Sequence, residues 1–225
     1  MAKVYIVMPA FNEAKRMGSV LSDLKKAGYK NIIVVDDGST DDTINIAKKR
    51  GVYVLSHVLN RGQGASLQTG IDFALSKGAD IIVTYDADGQ FVIKEIISVI
   101  EPIIKNEADI VLGSRFLGAA KNIPLSKKIV LKIGVVVVFI LYGIKITDSQ
   151  CGFRALSRRA AEKIYLSYDR MEHAAEFFLE IMRNNLKYKE VPVTVIYDEY
   201  SLRKGQDWSK SFELGMKMLI KKFVR

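Results

Sequence analysis

The sequence predicts an α/β domain with a mainly parallel central sheet and helices on both faces. Three observations carry this. Short β-rich apolar runs alternate with segments of helical spacing through the first half, turns rich in Asp and Gly follow the strands directly, and 225 residues at 49% hydrophobic and 26% charged suit one globular unit with a sizeable core. Repetition of this βαβ kind makes a parallel sheet whose ligands bind beyond the carboxyl ends of its strands.

Val4 to Met8, Ile32 to Val35, Val52 to Leu55, Ile81 to Tyr85 and Ile110 to Leu112 read as strands, and residues 14–27, 41–50, 64–77 and 92–105 as the helices between them. The strand ends are therefore Pro9 to Glu13, Asp36 to Thr40, His57 to Gly64, Asp86 to Gln90 and Gly113 to Arg115. After residue 115 the rhythm breaks into a basic, Gly-containing loop. An apolar helix at about 125–143, a strand around Phe153 to Leu156 and helices near 158–166 and 173–185 follow. A strand at 189–197, a polar stretch and a final helix from Ser209 complete the chain. With no repeat or clear linker, residues 116–225 read as an elaboration of the first half, so 1–225 is taken as one domain.

The net charge of +9 is uneven: residues 1–114 hold 13 Lys/Arg against 14 Asp/Glu, and residues 115–225 hold 21 against 11. A positive second half suits anionic partners: nucleic acid, phosphorylated small molecules or an anionic membrane surface. Cys151 is the only cysteine, which excludes an intramolecular disulfide and points to a cytoplasmic location, as does the lack of a secretory leader pattern at Met1-Ala2-Lys3-Val4. The longest apolar run, Ile133 to Ile144, spans 12 residues, too short to cross a bilayer.

Two acidic clusters fall at strand ends, Asp36-Asp37-Gly38-Ser39-Thr40 and Asp86-Ala87-Asp88-Gly89-Gln90. Crowded carboxylates repel, and a shared cation or hydrogen-bonding ligand relieves that repulsion. Asp86 and Asp88 suit Mg²⁺ or Mn²⁺, hard ions that take oxygen ligands and leave positions for substrate phosphate. The competing reading is that such acids cap the next helix, which fits Ser39, Thr40 and Asp41. No Gly-x-Gly-x-x-Gly turn follows the first strand and no Gly-Lys-Ser/Thr loop occurs, so dinucleotide and P-loop enzymes are disfavoured. An EF-hand fails because Gly89 stands where a third ligand belongs. Asn60 to Gly64 could bring backbone N–H groups to an anion at a helix start, or be an ordinary turn.

Seven segments in order resemble the family 2 glycosyltransferases of GT-A fold, most closely the dolichol-phosphate mannose synthase and polyprenyl-phosphate glycosyltransferase branch. They are Pro9 to Glu13, Val35 to Asp41, Asn60 to Ala65 with Gly70, Asp86 to Gln90, Gly113 to Arg115, Asp148 to Arg154 and Arg203-Lys204-Gly205. The resemblance implies a nucleotide-sugar-binding half, residues 1–115, and an acceptor-binding half, 116–225. It implies that Pro9, Phe11, Glu13 and Asp37 hold the nucleoside of a GDP-mannose or UDP-glucose type donor. Asp86, Asp88 and Gln90 would then hold the metal and the donor diphosphate, and Arg115, Arg203 and Ser126 would face the phosphate of a polyprenyl or dolichyl acceptor. Ala87 and Lys210 join the ligand-binding set. Phe11 stands for a usual Tyr and Gln63 for a usual Lys.

The reaction implied is displacement at the anomeric carbon with inversion. A lipid phosphate attacks without a protein base; a hydroxyl acceptor needs one, and Asp148 and Glu176 are the candidates. His57 and His173 lack ligand-like spacing and read as structural. Phe212, Met216, Leu219, Ile220 and Phe223 form one face of a basic amphipathic helix, which either packs on the core or lies on an anionic membrane; the helix after Lys127 and Lys128 poses the same choice. A haloacid-dehalogenase-type phosphohydrolase shares Asp-x-Asp-Gly but carries it on the first strand, and a nucleic-acid module lacks any recognisable motif.

Overall fold

The computed structural model describes residues 2–168 and 173–204. One seven-stranded sheet runs in the order β3-β2-β1-β4-β6-β5-β7. Its strands are β1 (Val4–Ala10), β2 (Ile32–Asp36), β3 (Tyr53–Ser56), β4 (Ile81–Thr84), β5 (Ile110–Lys121), β6 (Arg154–Ser157) and β7 (Tyr188–Ile196). All neighbours pair in parallel except those of β6, which is antiparallel to both β4 and β5. The amino end of β6 therefore lies at the same edge as the carboxyl ends of the other strands. The expected α/β class, a mainly parallel sheet with helices on both faces, is the observed one.

Burial explains the strand compositions. Every residue of β2 and β4 is buried, as suits central parallel strands covered on both faces, whereas β3 at the edge is partly exposed. On the other edge β7 alternates, with Val191, Val193 and Val195 inward, and it accommodates Pro192, a residue confined to such edges. One core, centred on Ile6, Met8, Val34 and Val83, fills one face under α1 (Ala14–Lys26), α2 (Thr43–Lys49) and α4 (Ile96–Ile104). The other, centred on Val7, Val35, Ile82 and Leu112, fills the opposite face under α3 (Gln63–Ser76), α6 (Arg158–Lys163) and α7 (His173–Arg183).

Two segments depart from the sequence expectation. The loop expected after residue 115 is instead the second part of β5, since Ala119 to Lys121 pair with Thr194 to Ile196 beyond a register shift that starts at Ser114. A strand partner more than 70 residues away supplies the hydrogen bonds that the local composition does not announce. The stretch read only as polar contains α8 (Glu199–Lys204), opened by Asp198, whose carboxylate accepts from the Ser201 N–H at 2.9 Å. The apolar helix is α5 (Leu125–Tyr142), ended by Gly143 in the left-handed conformation. Among the described residues no helix is long and apolar enough to cross a membrane. The helix expected from Ser209 lies outside the described residues.

Candidate active site

The carboxyl end of β4 delivers Asp86 and Asp88 onto an aromatic floor, where Tyr85, Phe91 and Phe153 pack with ring centroids 5.0–5.5 Å apart. The Tyr85 hydroxyl donates to the Phe91 carbonyl at 2.7 Å, and the Ile196 N–H donates to the Gln90 carbonyl, so the turn is anchored from below and from β7. Asp88 accepts from the Gln90 N–H at 3.0 Å; Gln90 enters the turn through its backbone. Ala87 is buried between the two acids. Asp86 is half-buried against Gly152, where an added Cβ would stand 2.6 Å from its Oδ2, so only glycine leaves that carboxylate its place. Burial pushes the Asp86 carboxyl up to about 6, against the opposing pull of the Arg154 and Arg115 cations, while Glu13 adds to the rise. Gln63, the first residue of α3, donates its Nε2 to Asp86 Oδ1 at 3.0 Å.

This donor set fits a divalent cation of the Mg²⁺ or Mn²⁺ type. Two hard carboxylates share one turn, Gly152 keeps space at one of them, and a carboxyl pushed toward neutrality by burial is the group a cation would re-ionise. Among the described residues no three His, Cys, Asp or Glu side chains converge as a cage.

At the ends of β1 and β2, Asp36 is fully buried; its Oδ2 accepts from the Ser39 N–H at 3.1 Å, and Oδ1 has no hydrogen-bond partner among the described residues. Asp37 is also buried and accepts from Arg61 N–H at 3.0 Å, Gly62 N–H at 2.6 Å and His57 Nδ1 at 2.8 Å. The anion that the 60–64 loop cradles is thus a carboxylate of the protein itself. Gly62, at φ 113°, takes a conformation that few other residues adopt, turning its N–H toward Asp37 at the threshold of α3. His57, held between Asp37 and Thr69, and His173, buried against Phe177, are structural. Ser39 and Thr40 bind Asn12 of the β1–α1 loop, joining two loops where a helix cap was expected; Asp41 accepts from both Ala14 and Thr43 N–H, and the N-cap of α2 is Asp42. Pro9 is half-buried in β1, and Phe11 is 40% exposed at its end. Glu13 is buried, and its Oε2 accepts from the Tyr200 hydroxyl at 2.9 Å; Arg16 lies over the Tyr200 ring and pairs with Asp198. These contacts fasten the start of α8 to the start of α1.

Beyond β4 lies a second polar cluster. Arg115 is 6% exposed, and its donors are committed to Asp148, Tyr197 and the Gln150 carbonyl. Burial lowers its pKa, but Asp148, Cys151 and Tyr197 together with the hydrogen bond to Asp148 outweigh burial and raise it, so the guanidinium stays charged. Asp148 sits in a segment held by Glu190, whose carboxylate accepts from Thr147 and Asp148 N–H groups. Glu176 is buried and binds Ser167 and the Tyr168 N–H, so its carboxylate organises the connection before α7. Ser126 is exposed on the first turn of α5. Lys127, one residue on, is half-buried with its Nζ 4.7 Å from the centre of the Tyr197 ring; burial and Arg115 lower its pKa, and Asp88 and Asp148 raise it. Arg203 falls within α8, and Lys210 lies outside the described residues. Cys151 is buried, with its thiol pushed up to about 12 by burial and by Asp148.

Sequence reasoning placed Gln63 in the 60–65 segment as the replacement of a usual Lys and Lys127 before the apolar helix, but not Gln63 at Asp86, and it gave Arg154 no role of its own. Arg154 is buried, stacked 4.3 Å over the Phe177 ring, and its charge reaches Asp86. Its only sequence signal was its place at the end of the 148–154 segment.

The glycosyl transferase family 2 model matches residues 5–165. An uncharacterized protein of Methanocaldococcus jannaschii is 44% identical over 98% of this chain and 92% of its own length. A protein of Methanococcus voltae named UDP-N-acetylglucosamine–dolichyl-phosphate N-acetylglucosaminyltransferase is 36% identical over 97% of this chain and 96% of its own. The crystal structure of Mycobacterium tuberculosis glucosyl-3-phosphoglycerate synthase with Mn²⁺ and UDP-glucose superposes with a TM-score of 0.70 at 18% identity, covering 97% of this chain and 77% of that one. At that identity the likeness is one of fold.

Proposed function

The chain belongs to glycosyl transferase family 2, and from that premise we propose that it moves a hexose-type sugar from a nucleotide diphosphate to a polyprenyl or dolichyl phosphate. One observation carries the choice of acceptor. The two carboxylates that a hydroxyl acceptor would need as base, Asp148 and Glu176, are committed to Arg115 and to the 167–168 segment, while a half-buried lysine stands near Asp88. A phosphate acceptor is already anionic near neutral pH and needs a cation to orient it, not a base. UDP-sugars are the first donors to consider, given the Methanococcus voltae relative, with GDP-mannose the second.

In this reading an acceptor phosphate oxygen bonds to the anomeric carbon as the bond from that carbon to the donor diphosphate breaks. Configuration inverts, and the nucleoside diphosphate leaves with the electron pair. Asp86 and Asp88, with Gln90 closing their turn, would hold a Mg²⁺ or Mn²⁺ ion, which supplies charge to the departing diphosphate. Pro9, Phe11 and Glu13 flank the nucleoside, and Asp37 shapes the 57–62 loop beside it. Lys127 orients the acceptor phosphate with Arg115 nearby, and Arg203 in α8 is a second cation for that phosphate. We assign α5 to an anionic membrane surface on the cytoplasmic side: Leu125, Ile129, Ile133 and Val136 are exposed along one stripe with Lys128 and Lys132, the arrangement of an interfacial helix.

The test is transfer from UDP-N-acetylglucosamine, UDP-glucose and GDP-mannose to a short polyprenyl phosphate with Mn²⁺, read by mass spectrometry of the lipid product. Transfer to a glycan hydroxyl in preference to the lipid phosphate would overturn the acceptor assignment. Sedimentation with anionic liposomes tests α5, and a chain left in the supernatant at low salt would remove it.

A further inference from the structure

The two acidic clusters at the sheet edge are joined by one side chain. Asp37 holds the N–H groups of Arg61 and Gly62, Gly62 turns the chain into α3, and Gln63, next in sequence, reaches Asp86 with its amide at 3.0 Å. On its far side Asp86 lies against Gly152, whose missing side chain leaves room at Oδ2. We infer that Gln63 is a positioning residue for the donor-phosphate cation: it fixes the Asp86 carboxylate in place and, being neutral, leaves its full negative charge for that cation. This rests on the donor-site reading above.

The physical reason lies in what the amide does and does not supply. One N–H donor orients a carboxylate oxygen but contributes no net charge, so the second oxygen and the charge stay available. A lysine at the same place would pair with Asp86 and compete with the divalent ion, a charge-assisted contact stronger than the amide's. A glutamate would instead bring a third carboxylate to the Asp86–Asp88 turn. Gln63 is half-buried at the first position of a helix, where glutamate and lysine both fold well, so the charge can be changed in either direction without rebuilding the core.

The experiment is Mn²⁺ binding to the intact chain in the presence of UDP, measured by electron paramagnetic resonance of free Mn²⁺, for the wild type, Gln63→Lys, Gln63→Glu and Gln63→Met. Melting temperatures without metal verify that each variant is folded. Expected is an affinity lowered about tenfold or more in Gln63→Lys, raised in Gln63→Glu, and lowered by a smaller factor in Gln63→Met, where shape is kept and the hydrogen bond is lost. Folded variants that all bind Mn²⁺ as the wild type does would overturn the inference. A wild type that binds no Mn²⁺ with UDP present removes the donor-site reading itself, a separate result.

Discussion

Arg115 reaches a single carboxylate oxygen of Asp148 twice, through its backbone N–H at 3.0 Å and its Nε at 2.6 Å, and both side chains are almost wholly withdrawn from solvent. Such a pair stabilises little as a unit, but removing one member strands the other. Asp148→Ala should therefore lower the unfolding free energy by about 3–5 kcal/mol, and Arg115→Met/Asp148→Leu by clearly less than the sum of the single changes. Urea unfolding of the cycle measures this. Strict additivity would mean that the two groups do not act as a pair.

Asp88 stands outside the apolar core, half-buried, and accepts from the Gln90 N–H of its own turn. Asp88→Ala should abolish sugar transfer, with kcat down by at least about 100-fold, and should shift the melting temperature little. Retained turnover in an assay supplied with Mn²⁺ would break the link between this turn and the donor.

Lys127 separates charge from packing. Its ammonium lies over the Tyr197 ring and its side chain is half-buried, so Lys127→Ala loses charge and buried stem together, whereas Lys127→Arg keeps a cation there. The expected outcome is a KM for polyprenyl phosphate raised several-fold in the alanine variant, largely restored by arginine, with donor KM unchanged. An equal effect on donor and acceptor would place Lys127 at the diphosphate instead.

Much of this was legible in the sequence, and the reason is local. Asp86 follows an apolar run directly, and Asp37, Asp88 and Glu13 stand within three residues of one, so their place at the strand ends could be read from neighbours. What could not be read depends on partners far along the chain. Gln63 meets Asp86 across 23 residues, Arg115 meets Tyr197 across 82, and Tyr200 meets Glu13 across 187. Arg115 enters as a ligand of the acceptor phosphate only through the resemblance; its burial against Asp148 depends on a partner 33 residues away, and the lysine whose charge is felt at Asp88 stands among similar lysines.

The thiol of Cys151 gives a reactivity test of the same cluster. It is buried beneath the Asp148 segment and pushed up to about 12, so the thiolate fraction at pH 8 is on the order of one in ten thousand. Iodoacetamide should leave the native chain unmodified over an hour and label it fully in urea, as followed by intact mass. Fast labelling of the folded protein would show that the floor under Arg115 opens.

Asp86 sets the pH dependence of the unliganded protein. With its carboxyl raised to about 6 in the folded state, against about 4 for an ordinary aspartate, the fold binds that proton more tightly than the unfolded chain does. The stability it contributes is complete below about pH 4 and is lost as pH rises through about 6. Asp86→Asn, which cannot ionise, should therefore show a gentler decline in melting temperature across that window than the wild type does. Because a bound cation favours the ionised carboxylate, Mn²⁺ with UDP should raise the wild-type melting temperature more at pH 7.5 than at pH 5, and chelation should abolish the difference. Parallel pH profiles for wild type and Asp86→Asn would mean that Asp86 ionises as freely in the fold as in water, and that burial at Gly152 is not what governs this carboxylate.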